Sequence, residues 1–114
     1  MRGSAQAEQR AKATLASFLA ARGEKQQAQK LAAEVQTGSY IDHHVHYSLG
    51  VTYAQLGDPV KARLWLGRAI GSGFPCYPWF QQDELLRPLQ SDPEFQRMMQ
   101  DLQNSWQAAR RKYE

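Results

Sequence analysis

The stretch Gly57-Asp58-Pro59-Val60-Lys61-Ala62 has a partial copy at Ser91-Asp92-Pro93-Glu94-Phe95-Gln96, and the two Asp-Pro pairs stand 34 residues apart. Gly57 can end a helix by taking a left-handed backbone conformation without a Cβ penalty. Asp58 then suits the N-cap of a following helix, and Pro59 its first position, where no amide hydrogen bond is lost. The same interval backwards aligns Gly23 with Gly57, Ala28 with Ala62, Leu15 with Leu49, Ala16 with Gly50 and Leu19 with Tyr53. One register thus covers three segments, about 9–42, 43–76 and 77–110.

Each segment reads as a helix hairpin. In the middle one, Val45, Leu49, Tyr53 and Leu56 recur at helical spacing before the Gly57 turn, and Ala62, Trp65, Leu66, Ala69 and Ile70 mark a second amphipathic helix that stops at Gly71-Ser72-Gly73. The first segment repeats the pattern with Ala11, Leu15, Phe18 and Leu19, a turn at Gly23, and Ala28, Leu31, Ala32 and Val35; Arg22 departs from it where the middle segment has Leu56. The matched alanines Ala28 and Ala62 are small enough for paired helices to approach closely. In the third segment, Pro78 and Pro88 predict short turns pinned by Trp79, Phe80, Leu85 and Leu89 rather than a full helix. Its second half carries two overlapping start signals, the S-x-x-E box of Ser91–Glu94 and the Asp92-Pro93 pair, so the capping residue stays open. Phe95, Met98, Met99, Leu102 and Trp106 then predict a helix of roughly 20 residues running to about Lys112.

With 114 residues, the chain makes one ordinary domain. A net charge of +3 comes with interspersed signs, and the sole basic cluster, Arg110-Arg111-Lys112, reads as a solvated helix end rather than a nucleic-acid footprint. The single cysteine, Cys76, excludes an internal disulfide and any multi-cysteine metal site. No apolar run approaches the roughly 18 residues needed to span a bilayer. Met1-Arg2-Gly3-Ser4 looks like a vector leader, so a signal peptide could have been cut away; with that open, the setting expected is cytoplasmic.

The middle segment, His46-x₂-Leu49-Gly50-x₂-Tyr53 followed by Ala62-x₃-Leu66 and Ala69, resembles the tetratricopeptide repeats, whose pattern is W-x₂-L-G-x₂-Y, then A-x₃-F and a later alanine. His46 stands for the large aromatic and Leu66 for the phenylalanine. The tail from Gly73 to Phe95 resembles closing segments that follow such arrays in larger bacterial proteins. The resemblance implies an all-α, right-handed stack of antiparallel hairpins with a degenerate third repeat and a long capping helix. It further implies a non-catalytic scaffold or adaptor, of the kind that forms part of a larger signalling or assembly protein, that receives a protein or peptide in a concave groove lined by the first helix of each pair.

Carried over residue by residue, the groove positions fall on Arg10, Ser17, His44, Tyr47, Val51 and Gln55, with Ala13, Ala20, Ala21 and Ala54 between them. Tyr47 and Val51 offer an apolar floor; Arg10, His44 and Gln55 could hydrogen-bond a partner. Alternatively, some of these residues pack against the irregular third segment. The family's carboxylate clamp of lysine, asparagine and arginine is not reproduced, because Ala13, Ser17, His44, Tyr47 and Ser48 hold the matching sites.

The cluster His43, His44 and His46 opens an alternative, a small metal-binding protein or enzyme, since imidazoles three apart share a helix face. Against it, His46 fills a core repeat position and no partner ligand closes a site. No phosphate loop, nucleophile elbow or H-E-x-x-H is present. Neither catalysis nor a metal, cofactor, nucleic-acid or membrane partner is expected, while Trp106 and Tyr113 on an overrunning last helix suggest self-association.

Overall fold

Gly23 and Gly57 both take positive φ, 86° and 82°. Each closes its helix in the same way: the Gly23 amide donates to Ala20 and that of Glu24 to Leu19, and 34 residues on, the Gly57 amide donates to Ala54 and that of Asp58 to Tyr53. These paired bonds satisfy the last carbonyls of a helix only when the glycine position is left-handed. The computed structural model describes residues 2–38, 42–73 and 75–112, with side chains from Gln6 onward, and among these residues every regular element is helical. Helix α1 spans Arg2–Ala21, α2 Lys25–Gln36, α3 His43–Gln55, α4 Pro59–Gly71, α5 Tyr77–Gln82 and α6 Pro93–Lys112, with a 3-10 turn at Glu84–Leu89. Arg2–Ser4, read as leader, already belong to α1.

α1 pairs with α2, α3 with α4, and α1 lies along α3. Asp58 caps α4 by accepting from the Lys61 amide at 3.1 Å, and Pro59 opens the helix, as the local chemistry predicts. Ala28 and Ala62 are both fully buried where their hairpins close. Beside Ala62, Gly50 approaches Leu66 so closely that a Cβ there would sit 2.5 Å from Leu66 Cδ2. A link between the hairpins comes from Gln36, whose Nε2 donates to Tyr53 Oη at 2.6 Å.

α3 is the centre of the molecule. Eight of its 13 residues are buried, on more than the single face that Val45, Leu49 and Tyr53 define. It is covered by α1 on one side, by α4 on another and by the 3-10 turn on a third. Leu49, Leu66, Leu86 and Leu89 are essentially sealed from solvent, and each such leucine contributes about 2 kcal/mol relative to exposure.

Leu15 and Phe18, expected in the core, are instead 50% and 55% exposed. Leu49, the counterpart of Leu15 34 residues on, is fully buried on α3, which packs against α1, α4 and the 3-10 turn, whereas the described elements leave the Leu15 face of α1 open. Phe18 is open because it lines a groove between α1, α3 and the stretch after Cys76.

The irregular stretch forms short turns as expected. Phe80, Leu86 and Leu89 are buried in it, but Trp79, expected as an anchor, is 57% exposed. α6 begins at Pro93 with Asp92 as its cap: Asp92 Oδ1 accepts from the Glu94 amide at 3.1 Å. The glutamate of the S-x-x-E box turns instead to Arg63, 3.4 Å away, and Arg63 also pairs with Asp92. Phe95 and Leu102 seal the inner face of α6, with Met98 and Met99 partly buried beside them. Trp106 is half-buried rather than exposed, and Tyr113 lies outside the described residues.

Candidate functional site

The site is built outward from the start of α3. Asp42 caps that helix, its Oδ1 accepting from the Val45 amide at 3.0 Å while Oδ2 takes two bonds from Arg10, at 3.0 Å from Nε and 2.7 Å from Nη2. One carboxylate thereby joins α1 to α3. Five residues after Asp42, Tyr47 projects toward the third segment, where its hydroxyl donates to Asp83 Oδ2 and its ring meets Phe80 edge-on with centroids 5.1 Å apart. Asp83 Oδ1 accepts from the Leu85 amide at 3.0 Å. Two turns further along α3, Gln55 donates through Nε2 to the Leu85 carbonyl at 2.6 Å. Tyr47 and Gln55 together pin the α5 and 3-10 segment against α3.

Between α1, α3 and this pinned segment lies a groove of about 550 Å³. Arg10, Ser17, His44, Tyr47 and Val51, five of the six groove residues named from the sequence, line it. Gln55 is not among the lining residues, because its amide is spent on Leu85. Ala13, Ala20 and Ala54 are in the core. Thr14, Phe18, Ser48, Trp79, Asp83 and Leu85 also line the groove. Phe18 falls one helical step past Ser17, so its exposure was within reach of the register. Trp79 and Asp83 could not be found that way, since they come from the stretch where the repeat pattern fails.

Burial, reinforced by the bond to Asp83 and its negative charge, raises the Tyr47 phenol far above its ordinary value, so the phenol remains a neutral donor to Asp83. Burial alone would raise the Asp42 carboxyl, but the Val45 amide together with the hydrogen bonds and charge of Arg10 outweighs it and the net shift is downward. His46 is lowered, chiefly by burial, against the opposing effect of a hydrogen bond that its ring donates to the Arg68 backbone carbonyl. Its ring lies 5.6 Å from that of Trp65, and Nδ1 is 3.2 Å from Ser72 Oγ.

Both shifts act in the same direction on stability. A lowered native value means that the unfolded chain binds more protons, so stability falls as pH falls. For His46 the contribution is full above its ordinary value of 6.5 and is lost as pH drops through the lower native value; for Asp42 the loss comes below 3.8. Urea unfolding followed by circular dichroism is therefore expected to show a falling midpoint between about pH 7.5 and 5.5. His46→Phe should flatten that slope; a slope unchanged in the variant would exonerate the histidine.

The rings of His43 and His44 are neighbours, with centroids 4.2 Å apart, while His46 turns away onto Trp65. Among the described residues no group of three histidine, cysteine or acidic side chains could hold a metal ion, and no helix is long and apolar enough to cross a membrane. No protein-family model, curated protein or solved structure matches this chain.

Proposed function

We propose that the chain is a non-catalytic protein-interaction module of the tetratricopeptide type, with α1/α2 and α3/α4 as its two regular repeats, the α5-to-α6 region as a degenerate closing unit, and the groove as its docking surface. The observation that carries this reading is the groove itself. Two large aromatics, Phe18 and Trp79, stand more than half exposed in one concavity whose floor is already fixed by Tyr47 and Val51. Exposed aromatics gathered in a preformed hollow are characteristic of recognition surfaces, where rigid rings gain contact area at little entropic cost. The recurring glycine turn, the buried alanine of each hairpin and the Leu49-Gly50-Tyr53 triplet support the repeat assignment. The metal-centred alternative draws no support from the histidines, which do not converge with other ligands.

Selection from a displayed peptide library tests the proposal. Peptides enriched on the wild-type protein should bind Phe18→Ser and Trp79→Ala about ten-fold or more weakly, as expected for aromatic anchors. They should bind Leu64→Ser, altered at an exposed apolar residue remote from the groove, as tightly as wild type. Peptides that ignore both groove substitutions would place recognition elsewhere.

A further inference from the structure

The groove contains an acid that the repeat pattern does not account for. Asp42 and Asp92 are each matched by an arginine, Arg10 and Arg63. Asp83 is held by neutral donors, the Tyr47 hydroxyl and the Leu85 amide. It lines the same hollow as Phe18, Tyr47 and Trp79, three rings delivered by α1, α3 and α5. Filling this hollow with an uncharged side chain would strip water from a carboxylate and return no charge to it, which is costly. Filling it with an anion would be worse. A cation on an alkyl stem is compatible with every wall: aromatic faces attract it through their quadrupoles, the stem covers apolar surface, and the carboxylate supplies the counter-charge.

We propose that the groove accepts the alkylammonium side chain of a lysine, unmodified or methylated, from a partner peptide, with Trp79 and Phe18 as walls and Asp83 as the counter-ion. Arg10 does not oppose this, because its guanidinium is committed to Asp42 at 2.7 Å. His44 shares Arg10's end of the groove, one helical turn before Tyr47. The inference rests on the groove being the docking surface, and it adds the chemistry of the residue that anchors there. Tyr47 has a double part, lining the hollow and orienting Asp83 through its hydroxyl.

The test uses three capped amino acids as probes: N-acetyl-lysine methylamide, its trimethylated form, and the uncharged isostere in which carbon replaces the quaternary nitrogen. Binding is followed on the indole N–H resonance of Trp79, assigned with Trp79→Phe. Both cations should shift that resonance saturably, and the trimethylated probe should bind about five-fold or more tightly than its carbon isostere. Asp83→Asn, whose Oδ1 still accepts from the Leu85 amide while its Nδ2 can donate to the Tyr47 hydroxyl oxygen, should remove that preference while leaving the isostere unaffected. Equal affinity for cation and isostere overturns the charge assignment and leaves groove docking standing. Failure of every probe to perturb Trp79 overturns the assignment as well, while the library selection with the same Trp79→Ala variant decides docking separately.

Discussion

Gly50→Leu is expected to leave the chain without a native fold, and even Gly50→Ala to lower stability by about 1–3 kcal/mol. Alanine ordinarily improves a helix by about 1 kcal/mol over glycine. Here the added carbon would meet Leu66 Cδ2 at 2.5 Å, Cγ at 2.6 Å and the Leu66 backbone nitrogen at 3.2 Å. The leucine cannot swing aside, because it is fully buried. The helices would have to part, which would uncouple α3 from α4. The first hairpin shows how the conflict is resolved: Ala16 stands at the position of Gly50, and Ala32, not leucine, at that of Leu66. Combining Gly50→Ala with Leu66→Ala should therefore cost less than the sum of the two single changes, by thermal and chemical unfolding. Strict additivity would contradict direct contact as the cause.

The second large effect is expected at the start of α6. Asp92→Ala removes a helix cap, worth about 1 kcal/mol, and also the partner of Arg63, whose side chain is only 20% exposed. A guanidinium left half-buried with only Glu94 beside it adds a further penalty, so a total of about 2–3 kcal/mol is expected. Asp92→Asn retains the cap and should recover roughly the first part. The loss should show as faster amide exchange through α6 and the 3-10 turn, with α1 and α2 spared. Uniform acceleration across all helices would mean that α6 is not a separately docked unit.

Local rules were the legible part of this chain. Gly57, Asp58 and Pro59 each act through their own backbone and near neighbours, so helix ends and turn followed from residue type alone. Leu15 was misplaced because periodicity identifies an apolar face without saying whether anything covers it. The capping role of Asp42 was obscured by the histidines after it, although aspartate directly before an apolar helix is itself a start signal. At Ser91–Glu94, two start signals overlapped, and the tertiary partner Arg63 favours Asp92. Trp79 and Asp83 lay beyond reach for a different reason. They sit between prolines, outside any period, and their positions depend on Tyr47 and Gln55 reaching across from α3.

The crowding of α3 limits how this surface can change over evolutionary time. Tyr47 and Val51 face the hollow from a helix packed on several sides, so a new preference sought there would disturb the interior as well. Phe18 and Trp79 reach the hollow from the periphery, where exchange is cheap. Divergence among descendants of such a chain would accordingly collect on α1 and the short turn after Cys76, leaving the middle rod nearly constant while its walls are retailored.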